Sequence, residues 1–169
     1  MKSLKTLVSL TALTVCMGAA SMANAVSISP INTDFTAGGT ISVKSPSSLQ
    51  LPITCNATFT GHVDGSGVAS ITNVVVSGSS ALCGYPNITG LPWTLTASAV
   101  AAPNNGNVTN VGYTITKTGI IPSTCGPNTI TVSYDNSSHI LSAANQSLTG
   151  SCTVVSLSVT PSPTLTIVP

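Results

Sequence analysis

Beyond Ala25 the chain offers two histidines, His62 and His139, three aspartates, Asp34, Asp64 and Asp135, and four cysteines, Cys55, Cys83, Cys125 and Cys152, with neither Glu nor Arg. Acid/base, nucleophilic or metal chemistry would have to be assembled from these residues. His62 and Asp64 stand two apart, a spacing that puts both side chains on one face of a strand. A metal site there would still need ligands from His139, Asp34 or Asp135. Paired carboxylates for glycoside hydrolysis would have to come from three Asp, each beside a turn signal. No G-x-S-x-G elbow presents a serine nucleophile. The pattern reads as a polar strand end running into an Asp-Gly turn, and we expect no catalytic residue, no metal and no cofactor.

The cysteines read as structural. None stands in the close C-x-x-C pairs that zinc requires, and an even number in an oxidising compartment implies two disulfides. Four half-cystines allow three connectivities, which spacing cannot decide. Loops of similar length favour Cys55–Cys83 with Cys125–Cys152. The compartment follows from the N-terminus: Lys2 and Lys5, an apolar run from Leu7 to Ala20, and Ala23-Asn24-Ala25 as a cleavage site form a signal peptide over residues 1–25. The run is shorter than the roughly 20 apolar residues of a spanning helix, so no transmembrane anchor is expected. Cys16 leaves with the signal, and the product, residues 26–169, is secreted or held at the cell surface.

The elements that must position these residues are strands. From Leu49 the chain alternates, Leu49, Leu51, Ile53, Cys55, Ala57 and Phe59 on one side and Gln50, Pro52, Thr54, Asn56, Thr58 and Thr60 on the other. Period two over that length predicts a strand with one buried face. Pro52, lacking a donor, places its start at a sheet edge or bulge. Alternation recurs at Trp93, Leu95 and Ala97, at Val111, Tyr113 and Ile115, at Ile130, Val132 and Tyr134, at Val155, Leu157 and Val159, and at Leu165 and Ile167. Between these runs lie Asp64-Gly65-Ser66-Gly67, Asn104-Asn105-Gly106 and Asp135-Asn136-Ser137, residues that tolerate positive φ or cap their own backbone. The prediction is one all-β domain, an antiparallel sandwich or barrel.

Charge removes one class of partner and suggests others. Residues 26–169 carry Lys44 and Lys117 against the three Asp, far below the roughly one quarter of charged residues in ordinary domains. Nucleic acid is excluded, because no basic patch exists to replace counterions around phosphate. Leu91-Pro92-Trp93 holds the only Trp, which either enters the core or meets an apolar partner. The uncharged terminal strand with Leu165, Ile167 and Val168, and the segment Val26 to Ile31, either close the protein's own sheet or are donated to a neighbour's edge.

Taken in order, the signal Met1-Lys2-Ser3-Leu4-Lys5, the segments Ile28-Ser29-Pro30 and Phe35-Thr36-Ala37, Cys55-Asn56-Ala57-Thr58-Phe59-Thr60-Gly61, Leu82-Cys83, Gly90-Leu91-Pro92-Trp93, Cys125-Gly126-Pro127-Asn128-Thr129-Ile130 and Thr166-Ile167-Val168-Pro169 resemble the small secreted activators of alkane oxidation of pseudomonads and related Gram-negative bacteria. The resemblance covers nearly the whole chain. It implies an extracellular, non-enzymatic helper of growth on alkanes, acting by emulsification, cell contact or uptake at a hydrophobic substrate or oil–water interface. It brings no catalytic residues. The alternative is a fibre or biofilm-matrix subunit that self-associates by strand addition.

Overall fold

The computed structural model describes residues 26–169. The signal peptide expected over residues 1–25, Cys16 included, lies outside the described residues. The described residues form eleven strands: β1 (Ser27–Ser29), β2 (Thr33–Lys44), β3 (Ile53–Val63), β4 (Ala69–Ser77), β5 (Asn87–Thr89), β6 (Trp93–Ala97), β7 (Gly106–Ile115), β8 (Ser123–Asp135), β9 (Ile140–Leu148), β10 (Cys152–Ser162) and β11 (Thr166–Val168). Two 3-10 turns, Pro46–Ser48 and Ala81–Gly84, join β2 to β3 and β4 to β5. Eight strands follow one another in the order β7-β6-β4-β3-β2-β10-β9-β8, and β8 pairs back with β7 to close a barrel. Every neighbouring pair is antiparallel. Closure is how an all-β chain so poor in blocking charge disposes of its strand edges.

Period-two patterning sets the wall. On β3, Cys55, Ala57, Phe59, Gly61 and Val63 point inward and Thr54, Asn56, Thr58 and Thr60 outward; on β2, Phe35 and Ala37 point inward between exposed Asp34 and Thr36. The Thr-rich face meets water. Inside, Trp93 is buried near Phe59, ring centroids 6.5 Å apart, and its Nε1–H donates to Thr89 O at 2.8 Å. Gly61 is required where it stands, because a Cβ there would lie 2.3 Å from Ser70 O and 2.8 Å from the Phe35 ring.

Two departures from the alternation have local causes. β3 starts at Ile53, not Leu49: Leu49 and Gln50 take left-handed conformations, φ 54° and 63°. Pro46 opens a 3-10 turn, and the Ser48 hydroxyl accepts from Ser45 N–H and donates to backbone carbonyls in the same loop, giving the backbone an alternative to the ladder. Leu49 and Leu51 therefore project to solvent, 70% and 62% exposed. Pro52 stands just before β3, whose first residues Ile53–Cys55 pair with β2 alone, β4 joining only from Asn56, so the proline falls where one side of the strand is unpaired. On β10 a bulge between Val154 and Ser156 flips the parity, so Val154, Leu157 and Val159 are buried while Val155 is only half-buried.

The two ends of the barrel are finished differently. At the lower end β1 and β11 form a two-stranded ribbon, Ile28 opposite Ile167, which buries both. Its outer edges are also occupied. Ile28 N–H donates to Gly67 O at 2.9 Å. The Asn136 amide donates to Ile167 O at 2.9 Å and accepts from Ile167 N–H at 2.8 Å. Asn105, fully buried, does the same for Tyr134, accepting from its N–H at 2.7 Å and donating to its carbonyl at 2.8 Å. At the upper end the disulfides Cys55–Cys83 and Cys125–Cys152 tie the second 3-10 turn to β3 and β8 to β10.

Candidate functional site

The titratable residues do not assemble. His62 Nδ1 lies 2.6 Å from Asp34 Oδ1, its cross-strand partner on the outer face. The sequence spacing had paired His62 with Asp64 instead. Asp64 turns away into its own loop, accepting from Ser66 Oγ at 2.6 Å, Ser66 N at 2.8 Å and Val68 N at 3.0 Å. The Ser66 hydroxyl foremost, then Val68 N–H, hold its pKa below the ordinary carboxylate value. Asp135 is held down in the same way, chiefly by Ser137. His139 sits in the β8–β9 turn at φ 57°, where its N–H donates to Asp135 O. Among the described residues no three of His, Cys, Asp or Glu gather as a metal site.

What the fold does build is apolar, and it lies at the upper end. The buried hydroxyls of Ser47 and Ser123 meet at 2.6 Å, and Ser47 Oγ donates to Ile121 O at 2.7 Å. These bonds lock the β2–β3 turn onto the β7–β8 loop. They bring Leu49, Leu51 and Ile121, the last 51% exposed, to one end of the molecule as an apolar tip. Lys117, in the same loop as Ile121, lies over the Tyr85 ring at 5.4 Å.

Beneath the tip the barrel holds a cavity of about 100 Å³, walled by Phe35, Ala57, Phe59, Trp93, Val111 and Leu157 among other apolar side chains. The small inward residues Ala37 and Ala57 leave the space, as eight strands give an interior that side chains just fill or that holds one small ligand. Ser45, Ser47, Ser48 and Tyr113 are its polar lining. Tyr113 is buried and its hydroxyl has no hydrogen-bond partner among the described residues; burial pushes its pKa up, eased by the Ser45 hydroxyl beside it.

The wall has a seam beside this cavity. β5 and β6 run consecutively along β7, but only β6 reaches β4, through Trp93↔Ile71 to Leu95↔Ala69. Above Ile71, Thr72–Ser77 has no strand on its outer edge among the described residues. Val74, Val76, Leu82, Pro86 and Ile88 line the cavity at this split.

Of the apolar contact candidates, Trp93 belongs to the core at the base of the seam, while Leu91 and Pro92 are exposed on the bend between β5 and β6. Leu165 and Ile167 are buried under the barrel's lower end and Val168 is half-buried in β11. The tip, the seam and Tyr113 were not read as a site. Val74-Val75-Val76 was a strand signal that could have been used, whereas the exposure of Leu49 and Leu51 depended on the Ser48 bonds.

Fold and surface together define a disulfide-stapled, charge-poor β-barrel with an apolar interior and one apolar end. The chain belongs to the alkane oxidation protein activator PraA/PraB-like family, whose sequence model matches residues 1–169. No curated protein and no solved structure matches the chain.

Proposed function

We propose that this activator is secreted and non-enzymatic, and that it promotes growth on alkanes by meeting the hydrocarbon itself, at the oil–water interface or between cell and droplet. The observation that carries the reading is the tip of Leu49, Leu51 and Ile121, exposed on two loops locked together by Ser47. Each such side chain moved from water into oil gains about 1.5–3 kcal/mol. The closed, twice cross-linked barrel adsorbs through this end without unfolding, and the Thr-rich wall stays wet. Purified protein added to a dodecane drop in water lowers the interfacial tension at neutral pH. An unchanged tension overturns the reading. His62→Ala and His139→Ala leave growth on dodecane unaffected, whereas an enzyme built on either would lose activity with its fold intact.

One observation favours a second reading, a fibre or matrix subunit growing by strand addition: the unpaired outer edge of Thr72–Ser77, uncharged and rich in Val. It is an acceptor. The donor candidates, Val26 to Ile31 and the strand with Leu165, Ile167 and Val168, are paired to each other in the monomer, so assembly would have to release the ribbon. Negative-stain microscopy of purified protein without alkane separates the readings, filaments supporting the fibre and dispersed particles the interfacial protein.

A further inference from the structure

We infer that the barrel interior takes up one straight-chain alkane, held by the hydrocarbon lining alone and admitted through the seam between β4 and β5. This rests on the reading of the protein as a partner of alkanes and adds an internal site to the tip.

Four observations carry the inference. The surface facing the cavity is almost wholly hydrocarbon, and no Lys, Asp or His lines it. Next, the few hydroxyls at its margin are already engaged. Ser47 Oγ donates to Ile121 O and meets Ser123 Oγ, Ser48 Oγ lies within bonding distance of the Ser45 and Leu51 carbonyls, and the Tyr113 hydroxyl has that of Ser45 beside it. A polar ligand atom would enter without a partner, at a cost that an alkane does not meet. Protein interiors hold few voids larger than a water molecule, whereas this one measures about 100 Å³. An apolar space of this kind stays dry and accepts apolar molecules. Third, it is long and narrow. The lining runs from Phe35 to Val43 on β2 and from Val108 to Ile115 on β7, roughly 26 Å and 23 Å of strand at about 3.3 Å per residue. Its volume is nonetheless below the ~150 Å³ of an engineered void that accepts benzene, which suits a chain and not a ring. Finally, there is a way in. Above Ile71 and Trp93 no ladder joins β4 to β5, and the side chains of Val74, Val76, Pro86 and Ile88 close the wall there. They can part to admit a chain without breaking a strand pairing.

The test uses the intact protein and its single tryptophan, Trp93, which lines the cavity. In water kept below alkane saturation, with no droplets, n-hexane shifts Trp93 emission saturably and raises the melting temperature with its concentration. Affinity rises about fourfold per methylene from n-pentane to n-heptane. Hexan-1-ol binds at least tenfold more weakly than n-hexane, and cyclohexane also binds more weakly. Ala57→Val puts methyl groups into the space; it weakens n-hexane at least tenfold, and without alkane it melts no lower than the parent. Ala37→Val, on the facing strand of the same lining, takes its place if Ala57→Val does not fold. Absence of a saturable shift with every alkane overturns the inference on the unmutated protein alone. So does hexan-1-ol or cyclohexane binding as tightly as n-hexane, or a folded valine variant binding n-hexane like the parent. Failure here with droplet adsorption intact removes the internal site and leaves the interfacial reading. Uptake of dissolved alkane without droplet adsorption does the reverse.

Discussion

The lower end of the barrel is sealed and the upper end is not. Below, the ribbon of β1 and β11 buries Ile28, Leu165 and Ile167, and Gly67 and Asn136 occupy its outer edges. All three aspartates and both histidines stand at this end, on the strand ends and turns at Thr33, Val63, Asp135 and Ile140. Above, both lysines share the rim with Leu49, Leu51 and Ile121, an edge of β4 is free, and a buried hydroxyl lacks a partner. One wall pattern supports both ends, so the difference resides in the loops. Where the ribbon covers the barrel the end is structural; where apolar side chains and an edge are left over, the molecule has surface to spend on something else.

The comparison breaks first at the ribbon. Ile167→Ala removes a buried side chain from the lower plug and costs about 2–5 kcal/mol of stability in a denaturant titration. Leu49→Ser and Leu51→Ser at the upper tip stay within about 0.5 kcal/mol of the parent. Equal losses at the two ends would erase the distinction. A smaller effect is expected at Asn136→Ala, which strips partners from Ile167 N–H and C=O and costs about 1–3 kcal/mol, with faster amide exchange at Ile167. The smallest is acid sensitivity. Asp64 and Asp135 are held below their ordinary values by Ser66 and Ser137, so on acidification the unfolded chain takes up protons first. Their contribution is complete above about pH 4 and is lost as pH falls through the depressed folded-state values. Melting temperature against pH for Asp64→Asn with Asp135→Asn should therefore be flatter in acid than for the parent.

Much of the barrel was legible in the chain. Thr–apolar alternation marked the wall at β3, β7 and β8, and the Gly, Asn and Asp turns between the runs pointed away from helices as the organising theme. Closure was not legible, since alternation is the same in a sandwich and a barrel, and the choice depends on which strands meet across long intervals, here β7 with β8. The false start at Leu49 has a different cause. Leu49 and Leu51 keep the parity of the strand that follows, but Ser48 bonds in the preceding loop override it, and a local hydrogen bond leaves no mark on hydrophobic periodicity. The amides of Asn105 and Asn136 likewise looked like ordinary turn residues, although each extends the backbone ladder by side chain. Tyr113 was counted as a core residue; only the missing partner at its hydroxyl separates it from Tyr134, whose hydroxyl donates to Leu165 O.

The central claim is that the upper end faces the hydrocarbon, and it is tested most directly by adsorption at a dodecane–water drop. The triple variant Leu49→Ser, Leu51→Ser, Ile121→Ser should be compared with Ile31→Ser, which removes a residue 49% exposed at the lower end. The account predicts that the triple variant loses most of its effect on interfacial tension while Ile31→Ser keeps the parent's. Equal behaviour of the two, with both folded, would contradict it.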